Sequence, residues 1–157
     1  MQLSPAHHDE RLTAPRFWWG IAVMTGLACA LMLLPLGTMP LLAGLVGGTA
    51  LTGLLVSSYG SARVRVVNGS LAAGEARIPV TALGEPEILD AEESRAWRTY
   101  KADTRAFMLM RSYVPTAVRV EVTDPADPTP YVYVSTREPA ALAAAIRAAK
   151  AQAVPAE

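Results

Sequence analysis

The stretch that decides the fold lies at residues 17–62 and reads FWWGIAVMTGLACALMLLPLGTMPLLAGLVGGTALTGLLVSSYGSA. It contains 46 consecutive residues without Asp, Glu, Lys, Arg or His. A membrane-spanning helix needs roughly 17–25 apolar residues, so the stretch is too long for one helix and suits two. Pro35, Gly37 and Pro40 mark the break, because proline disfavours helix at its own position and at the residue before it. The sequence therefore predicts a transmembrane hairpin over 17–60, with helices at about 17–34 and 41–59.

Basic residues flank this hairpin only at its outer ends. Arg11 and Arg16 precede the first helix, two further arginines follow the second helix at 63 and 65, and the connecting loop has no charge. Since basic residues near span ends favour the cytoplasmic side, we expect a multi-pass protein of the cytoplasmic membrane with both termini in the cytoplasm. Cationic and aromatic side chains prefer the headgroup level, which predicts four membrane-interface anchors: Arg16, Trp18, Trp19 and Tyr59.

Two other interpretations of the apolar stretch are weaker. A cleaved signal peptide has an apolar core of roughly 7–15 residues and a small-residue cleavage site, whereas the first helix is longer and has no clear Ala-x-Ala site. A buried hairpin in a soluble protein would need a covering, and residues 63–157 could hardly cover two helices that are apolar on every face.

Small residues recur at every fourth position in both predicted helices. They are Ala22, Gly26 and Ala30 in the first helix and Gly44 and Gly48 in the second. Such spacing lets helix backbones approach closely, either between two copies of the chain or within one hairpin. Packing within one hairpin is favoured over oligomerisation. The single cysteine, Cys29, excludes an internal disulfide and a cysteine-based metal site.

Residues 61–150 are predicted to form a cytoplasmic domain, between a cytoplasmic tail at 1–16 and a frayed end at 151–157. Alternation of period two and turn signals such as Asn68-Gly69 predict about seven short strands. They lie at 63–66, 71–73, 76–78, 83–89, 106–110, 117–122 and 131–135. Asp90 is expected to cap a short helix, and an amphipathic helix follows Pro139. This order predicts an α+β membrane protein in which a small β domain follows the hairpin. The domain is expected to be mostly antiparallel and partly closed, with a C-terminal helix, and thus pleckstrin-homology-like. An α+β sandwich is the alternative.

Several sequence motifs point to one family. They are RFWW at 16–19, ARVRV at 62–66, NG at 68–69, ARIP at 76–79, TAVRVEVTDPADPTPY at 116–131, VSTR at 134–137 and Pro139. On these motifs the chain resembles the actinobacterial membrane proteins catalogued as domain of unknown function 3093, over about residues 10–150. The resemblance implies a two-helix anchor with an attached domain. It supplies no activity, cofactor or catalytic residue, because the family is uncharacterised.

Residues with catalytic or metal-binding chemistry are sparse. His7–Glu10 lies in the predicted tail, which is usually mobile, so metal binding there is not favoured. Each aspartate of Asp124–Asp127 precedes a proline, which is typical of a turn rather than a calcium loop. Ser135-Thr136 has no neighbouring base and is expected to lead into a helix. We therefore predict no catalytic residue, no cofactor and no metal, and expect a protein that is not an enzyme.

The remaining candidates are arginines that could contact anionic lipid or a partner: Arg63, Arg65, Arg119 and Arg137. Residues 63–157 balance 12 basic against 12 acidic residues, which argues against nucleic acid as a partner and weakens a lipid-binding patch. The favoured hypothesis is a membrane-anchored cytoplasmic module that binds an unknown protein partner or acts in an assembly. The alternatives are a domain that binds anionic lipid headgroups, if the arginines share a face, and an enzyme acting on a lipid or envelope precursor.

Overall fold

The computed structural model describes residues 8–153, and its contacts divide the chain into two units. A helical unit spans Thr13–Ala62, and a β-rich unit combines the N-terminal segment that ends at Leu12 with the chain from Arg63 onward. The helical unit is therefore inserted into the β-rich unit along the chain. The sequence had predicted that the helices simply precede the domain.

The helical unit is a hairpin of two long apolar helices. Helix α1 spans Arg16–Leu33, a 3₁₀ turn follows at Leu34–Leu36, and helix α2 spans Thr38–Tyr59. Helix α2 begins before the predicted position because Pro40 lies in its first turn, where a missing N–H breaks no helical hydrogen bond. Two long apolar helices are thus confirmed; both are long and apolar enough to cross a membrane, and their placement in one stays a prediction.

Helices α1 and α2 pack through the small residues that recur in the sequence. A Cβ atom at Gly26 would overlap Oγ1 of Thr49, and one at Gly48 would lie 3.0 Å from Sγ of Cys29. Small residues at this contact allow the backbones to approach closely, as helices in lipid often do. Ala22, Ala30 and Gly44 are also buried. These residues pack within the hairpin, and the preference for this role over oligomerisation stays a prediction.

The first four strands form sheet A. They are β1 (His8–Arg11), β2 (Arg63–Val67), β3 (Ser70–Ala73) and β4 (Ala76–Pro79), paired antiparallel in that order. The predicted tail is thus wrong for residues 8–11, because His8 and Glu10 lie opposite buried valines of β2 and face the interior. Asn68 and Gly69 both have positive φ, 51° and 67°, which confirms the tight turn between β2 and β3.

The other four strands form sheet B. They are β5 (Leu83–Leu89), β6 (Phe107–Leu109), β7 (Ala117–Val122) and β8 (Tyr131–Ser135), in the order β5-β7-β8-β6. Strand β6 pairs in parallel with β8, and the other pairs are antiparallel. Pro86 lies on edge strand β5 beside a register shift, where its missing N–H is tolerated.

Two helices complete the β-rich unit. Helix α3 spans Ala91–Arg98 and is capped by Asp90, whose carboxylate accepts hydrogen bonds from two backbone N–H groups of the first turn. Helix α4 spans Pro139–Ala153, so residues 151–153 are helical and only 154–157 of the predicted frayed end lie outside the described residues.

Helix α4 contacts both sheets, and its Leu142 and Ile146 are fully buried. The described strands number eight in two separate sheets, where the sequence predicted about seven in one partly closed barrel. The physical reason is that strand partners are chosen by long-range packing, which strand periodicity does not encode. The α+β class and the C-terminal helix are confirmed, and the pleckstrin-homology-like order stays a prediction.

Candidate functional site

The outer face of sheet A carries four arginines. Side chains alternate along β2, so its inner valines are fully buried while Arg63 and Arg65 lie on the opposite face. The strand register places Arg11 directly opposite Arg63. It also places Arg65, Ala72 and Arg77 in one row across three strands. We call these four arginines the basic face of sheet A: Arg11, Arg63, Arg65 and Arg77.

The pair of Arg11 and Arg63 is electrostatically unfavourable. Directly opposed side chains have Cβ atoms roughly 4.5–5.5 Å apart, and like charges in such a pair destabilise the sheet. Among the residues that the structure describes, no carboxylate forms an ion pair with any arginine of the basic face. Asp9, opposite Arg65, is the one carboxylate on the described strands of this face. An anion bound to the face would therefore relieve repulsion that the described side chains leave uncompensated.

Small side chains on the middle strand leave a concavity in the basic face. Ala72 and Ser70 lie on β3 between longer side chains of β2 and β4, and the concavity has a volume of about 220 Å³. Its lining residues, which we call the arginine cradle, are Arg65, Val67, Asn68, Ser70, Ala72 and Arg77. Two guanidinium groups, an amide and a hydroxyl all offer hydrogen-bond donors there. The arginine cradle therefore has the size and chemistry of a site for a small anion.

The structure separates the four arginines that the sequence singled out. Arg63 and Arg65 share the basic face, whereas Arg119 lies on sheet B and Arg137 follows β8. The guanidinium of Arg137 lies 5.8 Å from the ring centroid of Tyr113. In the sequence Arg11 is recognisable only as a flank of the hairpin, because its place on the basic face depends on the pairing of β1 with β2.

Arg119 is held within a cluster of the β-rich unit. Its guanidinium lies 4.3 Å from the ring centroid of Trp97 and 5.0 Å from that of Tyr131. It also forms ion pairs of 3.0 Å with Glu87 and 2.9 Å with Glu121. The side chain is only 15% exposed. These contacts bind α3 to sheet B and give Arg119 partners inside the domain.

The predicted membrane-interface anchors cluster at the open end of the helical hairpin. The rings of Trp18 and Tyr59 stack with centroids 5.5 Å apart and an interplanar angle of 7°. Trp19 is half exposed, and Arg16 is the first residue of α1. The geometry shows that α1 begins beside the end of α2, and the role of these residues at a membrane interface stays a prediction.

A second polar cluster joins β1 to the segment before α4. The hydroxyl of Thr136 donates a hydrogen bond to the carboxylate of Glu10, and the backbone N–H of Arg137 donates a second one at 2.9 Å. Nε2 of His8 lies 3.7 Å from the same carboxylate. Thr136 is completely buried, so its hydroxyl does not face solvent as a nucleophile would. The cluster therefore stabilises the attachment of β1.

The two segments considered as metal sites, His7–Glu10 and Asp124–Asp127, form no ligand cluster within the described part of the chain. No group of three or more His, Cys, Asp or Glu residues there could hold a metal ion, and His7 lies outside the described residues. Asp124 and Asp127 accept hydrogen bonds from backbone N–H groups two residues ahead, which confirms the predicted turns. Hydrogen bonds from the side chain and the backbone of Thr129 lower the pKa of Asp127.

These features define a class of protein: an α+β domain with a basic sheet face, in which a helical hairpin of membrane-spanning length is inserted between two paired strands. The chain belongs to the family described as protein of unknown function (DUF3093), whose family model matches residues 7–146. The matched region begins just before β1 and ends within α4, so it includes both units. No curated protein and no solved structure matches the chain.

Proposed function

We propose that this protein is a membrane-anchored module without enzymatic activity, whose basic face binds anionic lipid headgroups at the cytoplasmic surface of the membrane. The observation that carries the proposal is the opposed pair of Arg11 and Arg63 on strands that lead directly into two helices of membrane-spanning length. Three further observations support it, and they concern the anchor, the connection and the composition of the face.

The anchor is supported by the exposure of apolar side chains on both helices. Phe17 is 75% exposed, Met32 81% and Leu54 69%. Soluble proteins rarely expose large contiguous apolar surfaces, because each square ångström of apolar surface in water costs roughly 25 cal/mol. A bilayer is the solvent that such a hairpin needs.

The connection between the anchor and the basic face is short along the chain. Residues 12–15 join β1 to α1, and residues 60–62 join α2 to β2. An extended chain reaches at most about 3.6 Å per residue. Arg11 and Arg63 therefore stand at the ends of two short tethers, and a tether raises the effective concentration of the face near lipid headgroups.

The composition of the basic face favours lipid over the protein partner that the sequence favoured. Protein interfaces depend mostly on buried Trp, Tyr and Arg anchors. The described strand positions of this face supply arginines but no aromatic side chain to pack beside them. A basic residue near an anionic leaflet contributes about 1 kcal/mol, and this attraction falls off within a Debye length. Four arginines are thus sufficient for a salt-sensitive association of a tethered domain.

The topology is tested with a reporter fused after Glu157 in the full-length protein. We expect a cytoplasmic signal, because the basic residues at 11, 16, 63 and 65 all flank the hairpin on one side. An external signal would overturn the cytoplasmic placement.

Lipid binding is tested with a fluorophore placed beside the basic face. Full-length protein carrying Cys29→Ala and Glu75→Cys is labelled at position 75 and inserted into nanodiscs whose lipids carry a nitroxide on the headgroup. Position 75 follows Gly74, whose N–H donates a hydrogen bond to the carbonyl of Arg63. We expect stronger quenching in discs that contain phosphatidylglycerol than in neutral discs, with the difference removed by 1 M NaCl because salt screens charge.

The matched variants are Arg63→Gln on the basic face and Arg95→Gln on the exposed surface of α3. Arg63→Gln should reduce the lipid-dependent quenching, and Arg95→Gln should leave it unchanged. A label at Ala126→Cys, in the loop between β7 and β8, reports non-specific adsorption. Equal quenching at position 75 in neutral and anionic discs would contradict the proposal, and so would an equal response at position 126.

A further inference from the structure

We infer that the arginine cradle is a discrete binding site for a phosphate monoester, held between the guanidinium groups of Arg65 and Arg77. The inference rests on the proposed function, since it names the ligand class that one part of the basic face recognises. It goes further, because a diffuse positive surface attracts any anion whereas a built site selects one.

The row of Arg65, Ala72 and Arg77 has the spacing of a two-armed clamp. The strands of a sheet lie roughly 4.7–4.9 Å apart, so the two arginines begin roughly 10 Å from each other across β3. Ala72 between them carries only a methyl group, so the space above it is open as the concavity. A longer side chain at 72 would fill the position that an anion needs.

The donors of the cradle match a phosphate monoester better than other anions. A guanidinium is planar and binds phosphate through two parallel N–H···O bonds, which a lysine ammonium does not do. Two guanidiniums facing one ligand suit the −1.5 to −2 charge that a phosphate monoester carries near neutral pH. Ser70 and Asn68 add a hydroxyl and an amide at the rim. A diester has one charge and two blocked oxygens, so it satisfies fewer of these donors.

The carboxylate of Asp9, the one carried by the described strands of this face, leaves the cradle open. Asp9 is on β1, on the far side of Arg65 from Ala72, and no ion pair joins Asp9 to Arg65 within residues 8–153. Arg65 as a whole residue is half-buried, and Arg77 is exposed. Both arginines therefore border the concavity, and neither forms an ion pair with a described carboxylate.

The test measures protection of individual arginines from phenylglyoxal, read by peptide mass spectrometry. Full-length protein in phosphatidylcholine nanodiscs is treated with inorganic phosphate or with NaCl at the same ionic strength. We expect phosphate to slow modification of Arg65 and Arg77 about tenfold at ten times its Kd, because only the unbound fraction reacts. Arg95, outside the cradle, should react equally in both salts.

Two variants distinguish a built site from a charged surface. Ala72→Leu fills the concavity without changing charge, and it should abolish protection by phosphate. The variant Arg77→Lys keeps the charge but loses the paired N–H donors of one guanidinium, so phosphate should protect the remaining Arg65 much more weakly. Should Ala72→Leu fail to fold, the protection of Arg65 in Arg77→Lys carries the same test.

A second arm identifies the source of the phosphate. Discs containing phosphatidic acid present a monoester on the membrane, and discs containing phosphatidylglycerol present a diester. Protection by phosphatidic acid but not by free phosphate indicates a lipid headgroup, and protection by both indicates a site open to soluble monoesters. Either result supports the inference.

The inference would be overturned if neither phosphate nor phosphatidic acid protected Arg65 and Arg77. Equal protection by the two lipids would overturn it as well, and so would protection that survives Ala72→Leu. A wrong inference about the cradle remains distinguishable from a wrong proposed function. If the basic face binds lipid, salt-sensitive quenching at position 75 persists in Ala72→Leu whether or not the cradle binds phosphate, because the four charges of the basic face are unchanged.

Discussion

Removal of the Glu10 carboxylate should detach strand β1 from the β-rich unit. In Glu10→Ala, the hydroxyl of Thr136 and the backbone N–H of Arg137 both lose their acceptor. Among the described strands β1 lies at the edge of its sheet and pairs with β2 alone, so these two bonds add substantially to its attachment. We expect local opening of β1 while the rest of the unit stays folded.

The magnitude follows from the burial of the cluster. A hydrogen bond to a charged group contributes about 1.5–3 kcal/mol. Glu10 is only 11% exposed and Thr136 is completely buried, so water cannot easily replace the bond between them. Arg137 is exposed, and its N–H can turn to water, which places its bond at the low end. The sum of about 3–4.5 kcal/mol corresponds to a roughly 150- to 2000-fold larger opening equilibrium.

The assay is amide hydrogen exchange of the full-length protein in neutral nanodiscs. Protection of the β1 amides should fall by that factor in Glu10→Ala, while amides of β7 and β8 keep their wild-type protection. Thr136→Ser retains the hydroxyl and serves as the control. A double-mutant cycle with Thr136→Val should give a coupling of about 1–2 kcal/mol, since the two side chains share one bond.

Unchanged protection of β1 in Glu10→Ala, to within about twofold, would refute the reasoning. A uniform loss of protection over the whole β-rich unit would refute it as well. That result would mean that β1 is part of the global folding unit and not a locally attached strand.

Three further predictions concern the hairpin, sheet B and a surface ion pair. Gly26→Ala should lower the free energy of unfolding of the hairpin in nanodiscs, measured by thermal unfolding, by about 1–3 kcal/mol, because the added methyl group overpacks the contact with α2. Gly47→Ala is the control and should be neutral, because a Cβ atom added at Gly47 would have no neighbouring atom within 4 Å. Arg119→Gln should lower the free energy of unfolding in chemical denaturation by about 1–2 kcal/mol, mainly through the lost stacking on aromatic rings, since its carboxylate partners are largely exposed. Arg105→Gln should raise the pKa of Asp103, because the hydrogen bonds and charge of Arg105 lower it; NMR titration measures this change. The ionised Asp103 stabilises the fold above its ordinary pKa of 3.8, and this stabilisation is lost as the pH falls through the lower pKa of the folded state. In acid unfolding, the variant should therefore lose less stability below about pH 4 than the wild type does.

Features written within one short segment could be predicted from the sequence. Strands β7 and β8 have the predicted bounds, 117–122 and 131–135, because each has a complete alternating or apolar pattern bounded by proline-rich turns. The cap at Asp90 and the turn at Asn68-Gly69 also follow from local backbone chemistry. The helical hairpin is the strongest case, since no other structure suits so long a stretch without charge.

Strand β1 could not be predicted in this way. His8–Arg11 contains four polar or charged residues, and nothing local distinguishes it from a solvated tail. It becomes a strand because β2 offers an unpaired edge and because Thr136 and Arg137 bind Glu10. These partners are far away along the chain, and only the folded unit brings them together.

The sequence by itself determined that two apolar helices and a polar α+β domain share this chain, because helix length, hydrophobic period and turn chemistry are local properties. The tertiary structure alone decided which arginines share a surface. Pairing across the inserted hairpin sets Arg11 opposite Arg63, and strand register sets Arg65 and Arg77 on either side of Ala72. Register depends on the packing of side chains from distant segments, so the basic face and its cradle emerge only when sheet A is assembled.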